Sequence, residues 1–62
     1  MQIKNEQIMK LYAEALKKFP NRIGSIGVNP VCWVLFADNE ELRFKQNSEI
    51  YSFLKSYIEA LE

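Results

Sequence analysis

A short apolar segment in the middle of the chain constrains its fold most. The segment Val31–Ala37 reads VCWVLFA and lies between two turn sequences, Asn29-Pro30 before it and Asp38-Asn39 after it. Seven residues rich in β-branched and aromatic side chains, bounded by turn residues, predict a buried strand rather than a helix. A strand must pair with others to satisfy its backbone, so the chain must build a sheet around this segment.

Two flanking segments can supply the partner strands. Residues 22–28 read RIGSIGV, and the two glycines predict a strand with a bulge or a close backbone approach. Leu42–Gln46 alternates apolar and charged residues, as a half-buried edge strand does. The connections are short, which predicts a three-stranded antiparallel meander with Val31–Ala37 as its central strand.

Two helices are predicted outside the sheet. The first has apolar residues spaced three and four apart, begins at Asn5 or nearer Gln2, and ends at Lys18 or Phe19 because Pro20 cannot continue it. The second opens at Asn47-Ser48-Glu49, with Asn47 or Ser48 as its cap. The apolar stripes consist of Ile8, Leu11, Tyr12, Ala15, Leu16 and Phe19 in the first helix, and of Ile50, Phe53, Leu54, Tyr57, Ile58 and Leu61 in the second.

Together these elements predict an α+β fold of one domain, residues 1–62. Its order is helix, three-stranded antiparallel meander, helix, with both helices on one face of the sheet. A single core of this size supplies roughly 3–5 kcal/mol, so small domains often need a further constraint. Cys32 is the only cysteine and there is no histidine, which excludes an internal disulfide and a zinc site. Oligomerisation is the constraint that remains open, although an efficient core needs none.

The register of the second hairpin predicts which side chains share a face. If residues 38–41 form its loop, Ala37 pairs with Leu42, Leu35 with Phe44 and Trp33 with Gln46. The apolar set then packs against the helices, and no helix remains for the other face. We therefore expect a partner-binding surface with an apolar centre and basic rim. Its residues are Ile23, Val34, Phe36, Arg43 and Lys45.

The sequence gives no reason to expect an enzyme. Without histidine there is no ready general base at neutral pH, and no base is predicted beside the Cys32 thiol. Gly24 and Gly27 are not followed by the Gly-Lys-Ser/Thr ending of a phosphate-binding loop. We expect no catalytic residues, no cofactor and no metal.

Weak nucleic-acid binding is the alternative function. Residues 1–31 contain five basic and two acidic residues, whereas residues 32–62 contain three basic and six acidic ones. Lysines on the first helix, among them Lys10 and Lys17 on one face, could contact phosphates. The element order is also that of double-stranded RNA-binding domains, which carry lysines at the start of the last helix. Here that position reads Asn47-Ser48-Glu49, so the resemblance is limited to the order of elements.

The functional prediction is therefore a small, non-enzymatic, regulatory protein-binding module that forms a homodimer. No apolar segment is long enough to span a membrane, and the N-terminus lacks the apolar core of a signal peptide. We expect a cytoplasmic protein, complete from Met1, of the size common among phage and bacterial accessory proteins.

Overall fold

The computed structural model of the chain describes residues 2–62 and contains the five predicted elements in the predicted order. The three strands form one antiparallel sheet in the order β1-β2-β3, and both helices pack on one face of it. The α+β prediction is confirmed. The elements are α1 (Asn5–Lys18), β1 (Ile23–Val28), β2 (Trp33–Ala37), β3 (Glu40–Phe44) and α2 (Asn47–Leu61).

The central strand is β2, but it begins two residues later than predicted. The side-chain Oδ1 of Asn29 accepts hydrogen bonds from the backbone N–H groups of Val31 and Cys32, at 2.8 and 2.9 Å. This side-chain turn holds Val31 and Cys32 outside the strand, since Asn favours such local bonds. Strand β2 therefore starts at Trp33.

The predicted four-residue hairpin loop is wrong. Asp38 and Asn39 alone connect β2 to β3, with φ angles of 52° and 66°. Two consecutive residues with positive φ make the tight turn whose twist matches paired strands, and Asp and Asn tolerate that conformation better than most residues. Consequently β3 begins at Glu40 instead of Leu42.

The shorter turn changes the pairs but not the faces. Trp33 pairs with Phe44, Leu35 with Leu42, and Ala37 with Glu40. Each partner lies two residues away from the predicted one. Because side chains alternate with a period of two, a shift of two residues leaves every side chain on its predicted face.

The predicted irregularity in β1 is a bulge. Ile23 pairs with Ala37 and Ile26 with Leu35, so two residues of β1, Gly24 and Ser25, lie opposite Phe36 alone. A Cβ atom at position 24 would lie 3.1 Å from the Cβ of Phe36 and 3.2 Å from its carbonyl oxygen. Glycine is needed there because the two strands approach too closely for a side chain.

Both predicted helix caps are wrong, for one common reason. The cap positions are Lys4 and Gln46, and their N–H groups donate to the side chains of Gln7 and Glu49, at 2.8 and 3.1 Å. The asparagine side chains that could have capped the helices bond to each other instead: Asn47 Nδ2 donates to Asn5 Oδ1 at 2.8 Å.

Asn47 also connects the helices to the sheet. Its Oδ1 accepts a hydrogen bond from Trp33 Nε1 at 2.8 Å, and its Nδ2 donates to the carbonyl oxygen of Ile3 at 2.7 Å. Trp33 itself is 4% exposed within the core. The core comprises Ile8, Ala15, Ile23, Trp33, Leu35, Ala37, Ile50, Leu54 and Ile58.

The two helices run parallel. Asn5 bonds to Asn47 where both helices begin, and the Lys18 ammonium bonds to the Glu62 carboxylate where both end. The basic first half of the chain therefore lies beside its acidic second half, and the opposite charges mix instead of separating. Within residues 2–62, neither helix combines the length and apolarity needed to cross a membrane.

Candidate functional site: the outer sheet face

The face of the sheet turned away from the helices carries three of the five predicted partner-binding residues. Val34 pairs with Arg43, and Phe36 pairs with Glu41, so these four side chains lie on one surface, which we call the outer face. Val34 is half-buried, whereas Phe36 is 41% exposed. An aromatic side chain thus remains accessible in the part of the sheet that no helix covers.

The prediction that Ile23 belongs to the outer face is wrong. Ile23 pairs with Ala37, whose side chain points to the helices, and Ile23 is buried in the core. The bulge explains the difference. An extra residue at Gly24-Ser25 changes which positions of β1 face the helices, and hydrophobic periodicity does not show where along the strand it lies.

Lys45 lies at one end of the sheet, away from Phe36. It follows β3 and lines a shallow cleft together with the β1–β2 turn and the beginnings of both helices. Phe36 is near the opposite end, beside the Asp38–Asn39 turn. The basic rim predicted around Phe36 is therefore interrupted, because Lys45 cannot flank the aromatic ring.

The second basic residue of the rim, Arg43, is paired within its own strand. Its Nε donates to Glu41 Oε2 at 2.7 Å, and this hydrogen bond raises the pKa of the Arg43 guanidinium above its ordinary value. Glu41 is one of the four residues predicted to form the hairpin loop. In the two-residue turn it enters β3 instead and lies on the outer face, so it offsets the Arg43 charge.

A shallow depression lies beside Phe36. Gly24 lies next to Phe36 across the strands, and Gly27, opposite Val34, has open space where a side chain would be. The depression has a volume of about 270 Å³, and its lining includes Gly24, Phe36, Arg22 and Asn39. Its size and its aromatic wall suit one inserted apolar side chain.

A polar cluster holds one wall of this depression in place. Arg22 Nε donates to Asp38 Oδ1 at 2.8 Å, and the Tyr57 hydroxyl donates to the same carboxylate at 3.1–3.2 Å. The Arg22 hydrogen bond lowers the pKa of Asp38 below its ordinary value, whereas partial burial raises the pKa of Tyr57. These bonds tie the start of β1, the hairpin turn and α2 together.

The lysines of the alternative function lie elsewhere. Lys10 and Lys17 are exposed on the side of α1 that faces away from the sheet, whereas Lys18 bonds to Glu62 and lies 3.6 Å from Glu14. The Glu62 hydrogen bond raises the pKa of Lys18. Lys18 is therefore engaged with carboxylates, and the outer face gains no basic residue from α1.

Residues 2–62 bring together no group of three His, Cys, Asp or Glu side chains that could hold a metal ion. Cys32, a half-buried free thiol, lies beside the β1–β2 turn.

No protein-family model matches this chain, and no curated protein or solved structure was found to be significantly similar to it. Its function must therefore be argued from its own surface.

Proposed function

We propose that the chain is a small regulatory module that binds another protein through its outer face. One observation carries the proposal: Phe36 is 41% exposed on a sheet face without a helix, beside the depression that it lines together with Gly24 and Asn39. Aromatic anchors next to a pocket are the usual centre of a protein interface. The expected contact is an apolar side chain of the partner packed against the Phe36 ring in the depression that Gly24 and Asn39 also line.

The charges around Phe36 favour a partner whose contact surface is apolar at its centre. Glu41 and Arg43 offset each other, so a protein covering them meets a paired group rather than an isolated charge. The same pairing favours a second copy of the chain as one such partner. Two outer faces can meet around a two-fold axis without the repulsion that unpaired arginines would cause.

The substitution Phe36→Asp tests this function, because it replaces the exposed aromatic side chain of the outer face by a charge and leaves the core untouched. Wild type and variant are compared by light scattering and by affinity capture from the native cell. We expect the variant to lose the captured protein, or to change from dimer to monomer, while its circular dichroism is retained. Ser52→Asp adds the same charge to the exposed side of α2 and is the matched control.

If Phe36→Asp leaves both the molecular mass and the captured proteins unchanged relative to Ser52→Asp, the outer face is not the binding surface. The proposal is then wrong, whatever other surface the protein uses.

A further inference from the structure

The two edges of the sheet differ sharply in charge. Strand β3 carries Glu40, Glu41 and Arg43, whereas β1 from Ile23 to Val28 has no charged residue and no proline. Charges and prolines on edge strands normally prevent pairing with other chains. The β3 edge has this protection and the β1 edge does not.

The free edge of β1 presents unpaired backbone groups. The Asn29 N–H donates to the Cys32 carbonyl at 3.0 Å, which makes this a hydrogen-bonded pair. Hydrogen-bonded and non-hydrogen-bonded pairs alternate along an antiparallel ladder. Gly27 therefore bonds to β2, whereas Ile26 and Val28 direct their N–H and C=O groups away from β2. The carbonyl of Gly24 accepts a hydrogen bond from the Tyr12 hydroxyl. Ile26 and Val28 thus offer two donors and two acceptors to a further strand.

An apolar side of α1 lies above this edge. Tyr12 contacts β1 through Gly24, and Met9 and Leu16 lie one turn before and one turn after Tyr12 on the same side of the helix. Met9 is 44% exposed and Leu16 is 37% exposed. We call Met9, Tyr12, Leu16, Ile26 and Val28 the edge strip; none of its side chains is charged.

The layer of two helices is wider than the three-stranded sheet, which explains why Met9 and Leu16 are uncovered. The outer strands of a three-stranded sheet lie about 10 Å apart. Two packed helices, each about 10 Å wide, form a layer about 20 Å wide. Because α1 packs over β1 and α2 over β3, the outer side of α1 extends past the sheet edge. One more strand beside β1 would lie beneath Met9 and Leu16.

We propose that the β1 edge binds an extended, uncharged segment of another protein as a fourth strand of the sheet. Its backbone pairs with Ile26 and Val28, and its apolar side chains at alternate positions pack beneath Met9 and Leu16. The edge strip favours binding of an uncharged strand, because a charged side chain buried against the strip would have no group of opposite charge to pair with. This binding mode goes beyond the proposed function and does not depend on it.

A second copy does not suit this edge. Pairing β1 with β1 of another copy would set the two α1 helices about 5 Å apart, the spacing of neighbouring strands. Packed helices need 8–10 Å between their axes. A single extended segment has no helix above it and avoids this clash.

Peptides selected from a displayed random library on the full-length protein provide the probe, and Val28→Pro provides the test. Proline at position 28 removes the free-edge N–H but no hydrogen bond to β2, so the fold is retained. We expect selected peptides to have alternating apolar residues and to bind Val28→Pro and Leu16→Glu about ten-fold more weakly or worse. Lys17→Glu, on the side of α1 that faces away from the sheet, and Phe36→Asp, on the outer face, should bind them like wild type.

Hydrogen exchange measured by nuclear magnetic resonance gives the second readout. A selected peptide should slow amide exchange at Ile26 and Val28 and leave Gly27, already bonded to β2, nearly unchanged. The proposal is overturned if no selected peptide depends on Val28. It is also overturned if the isolated protein is a dimer that Val28→Pro dissociates, since a second copy would then occupy the edge. Loss of binding in Phe36→Asp alone would support the outer face and refute the edge.

Discussion

The hydrogen bond between Trp33 and Asn47 should be essential to the stability of the domain. Trp33 is almost fully buried, and Asn47 joins it to the N-terminal ends of both helices. Two substitutions separate packing from hydrogen bonding. Trp33→Ala removes the whole side chain, whereas Trp33→Phe keeps an aromatic ring and removes the donor to Asn47.

The expected magnitudes follow from these contacts. Trp33→Ala should destabilise the fold by about 3–5 kcal/mol, as large-to-small core substitutions do. This loss equals the whole stability expected of so small a core, so most of the variant should be unfolded. Trp33→Phe leaves Asn47 Oδ1 without its donor and should cost about 1–3 kcal/mol. Asn47→Ala breaks bonds to Trp33, Ile3 and Asn5 and should cost about 2–3 kcal/mol.

Circular dichroism measures these effects, by urea unfolding for the folded variants and by loss of the native signal for Trp33→Ala, because Trp33 is the only tryptophan and fluorescence is lost with it. The double variant Trp33→Phe/Asn47→Ala should be destabilised by at least about 0.5 kcal/mol less than the sum of the single variants. Asn21→Ala, in an exposed turn, is the control and should change stability by less than about 0.5 kcal/mol. Strict additivity would show that the bond does not contribute, and a folded Trp33→Ala variant with unchanged melting would refute the core position of Trp33.

Three further predictions concern charge and the hairpin turn. Lys10→Glu with Lys17→Glu should leave retention on immobilised oligonucleotides unchanged at physiological salt; a wild-type affinity that falls steeply with salt and is lost in the variant would instead favour nucleic-acid binding. Because the folded-state pKa of Asp38 is lowered, its ionised form stabilises the fold above the unfolded pKa, and this contribution disappears as the pH falls through the folded pKa. Asp38→Asn should therefore melt below wild type at pH 7 and approach it below about pH 4 in thermal scans; a constant difference would contradict the Arg22 bond. Asn39→Ala should cost about 1 kcal/mol in urea unfolding and Asn39→Gly should not, because position 39 has a positive φ; equal effects would exclude strain at the turn.

The pattern of apolar residues was sufficient to predict the fold. Helical spacing located α1 and α2, and turn residues around Val31–Ala37 located the central strand. The inner face was predicted correctly even though the hairpin loop was two residues too long, because a shift of two preserves side-chain direction.

The details that decide the candidate site depended on backbone conformation and long-range contacts. The bulge moved Ile23 into the core, and the positive φ angles of Asp38 and Asn39 brought Glu41 beside Arg43. Neither follows from hydrophobic periodicity. The consecutive Asp38-Asn39 pair was a usable signal for the two-residue turn, since these residue types tolerate such angles. The role of Asn47 gave no local signal, because one of its partners, Ile3, lies 44 residues away.

Because the two helices are parallel, their dipoles add and give a chain of zero net charge an electric dipole moment. Each helix carries about half an elementary charge at either end, and two parallel helices add these charges where antiparallel helices would cancel them. The positive pole lies where both helices begin, and the first-turn residues Glu6 and Glu49 offset part of it, as Lys17 and Lys18 offset part of the negative pole. Both helices therefore stabilise these two carboxylates at the same end of the molecule, and salt would weaken that contribution.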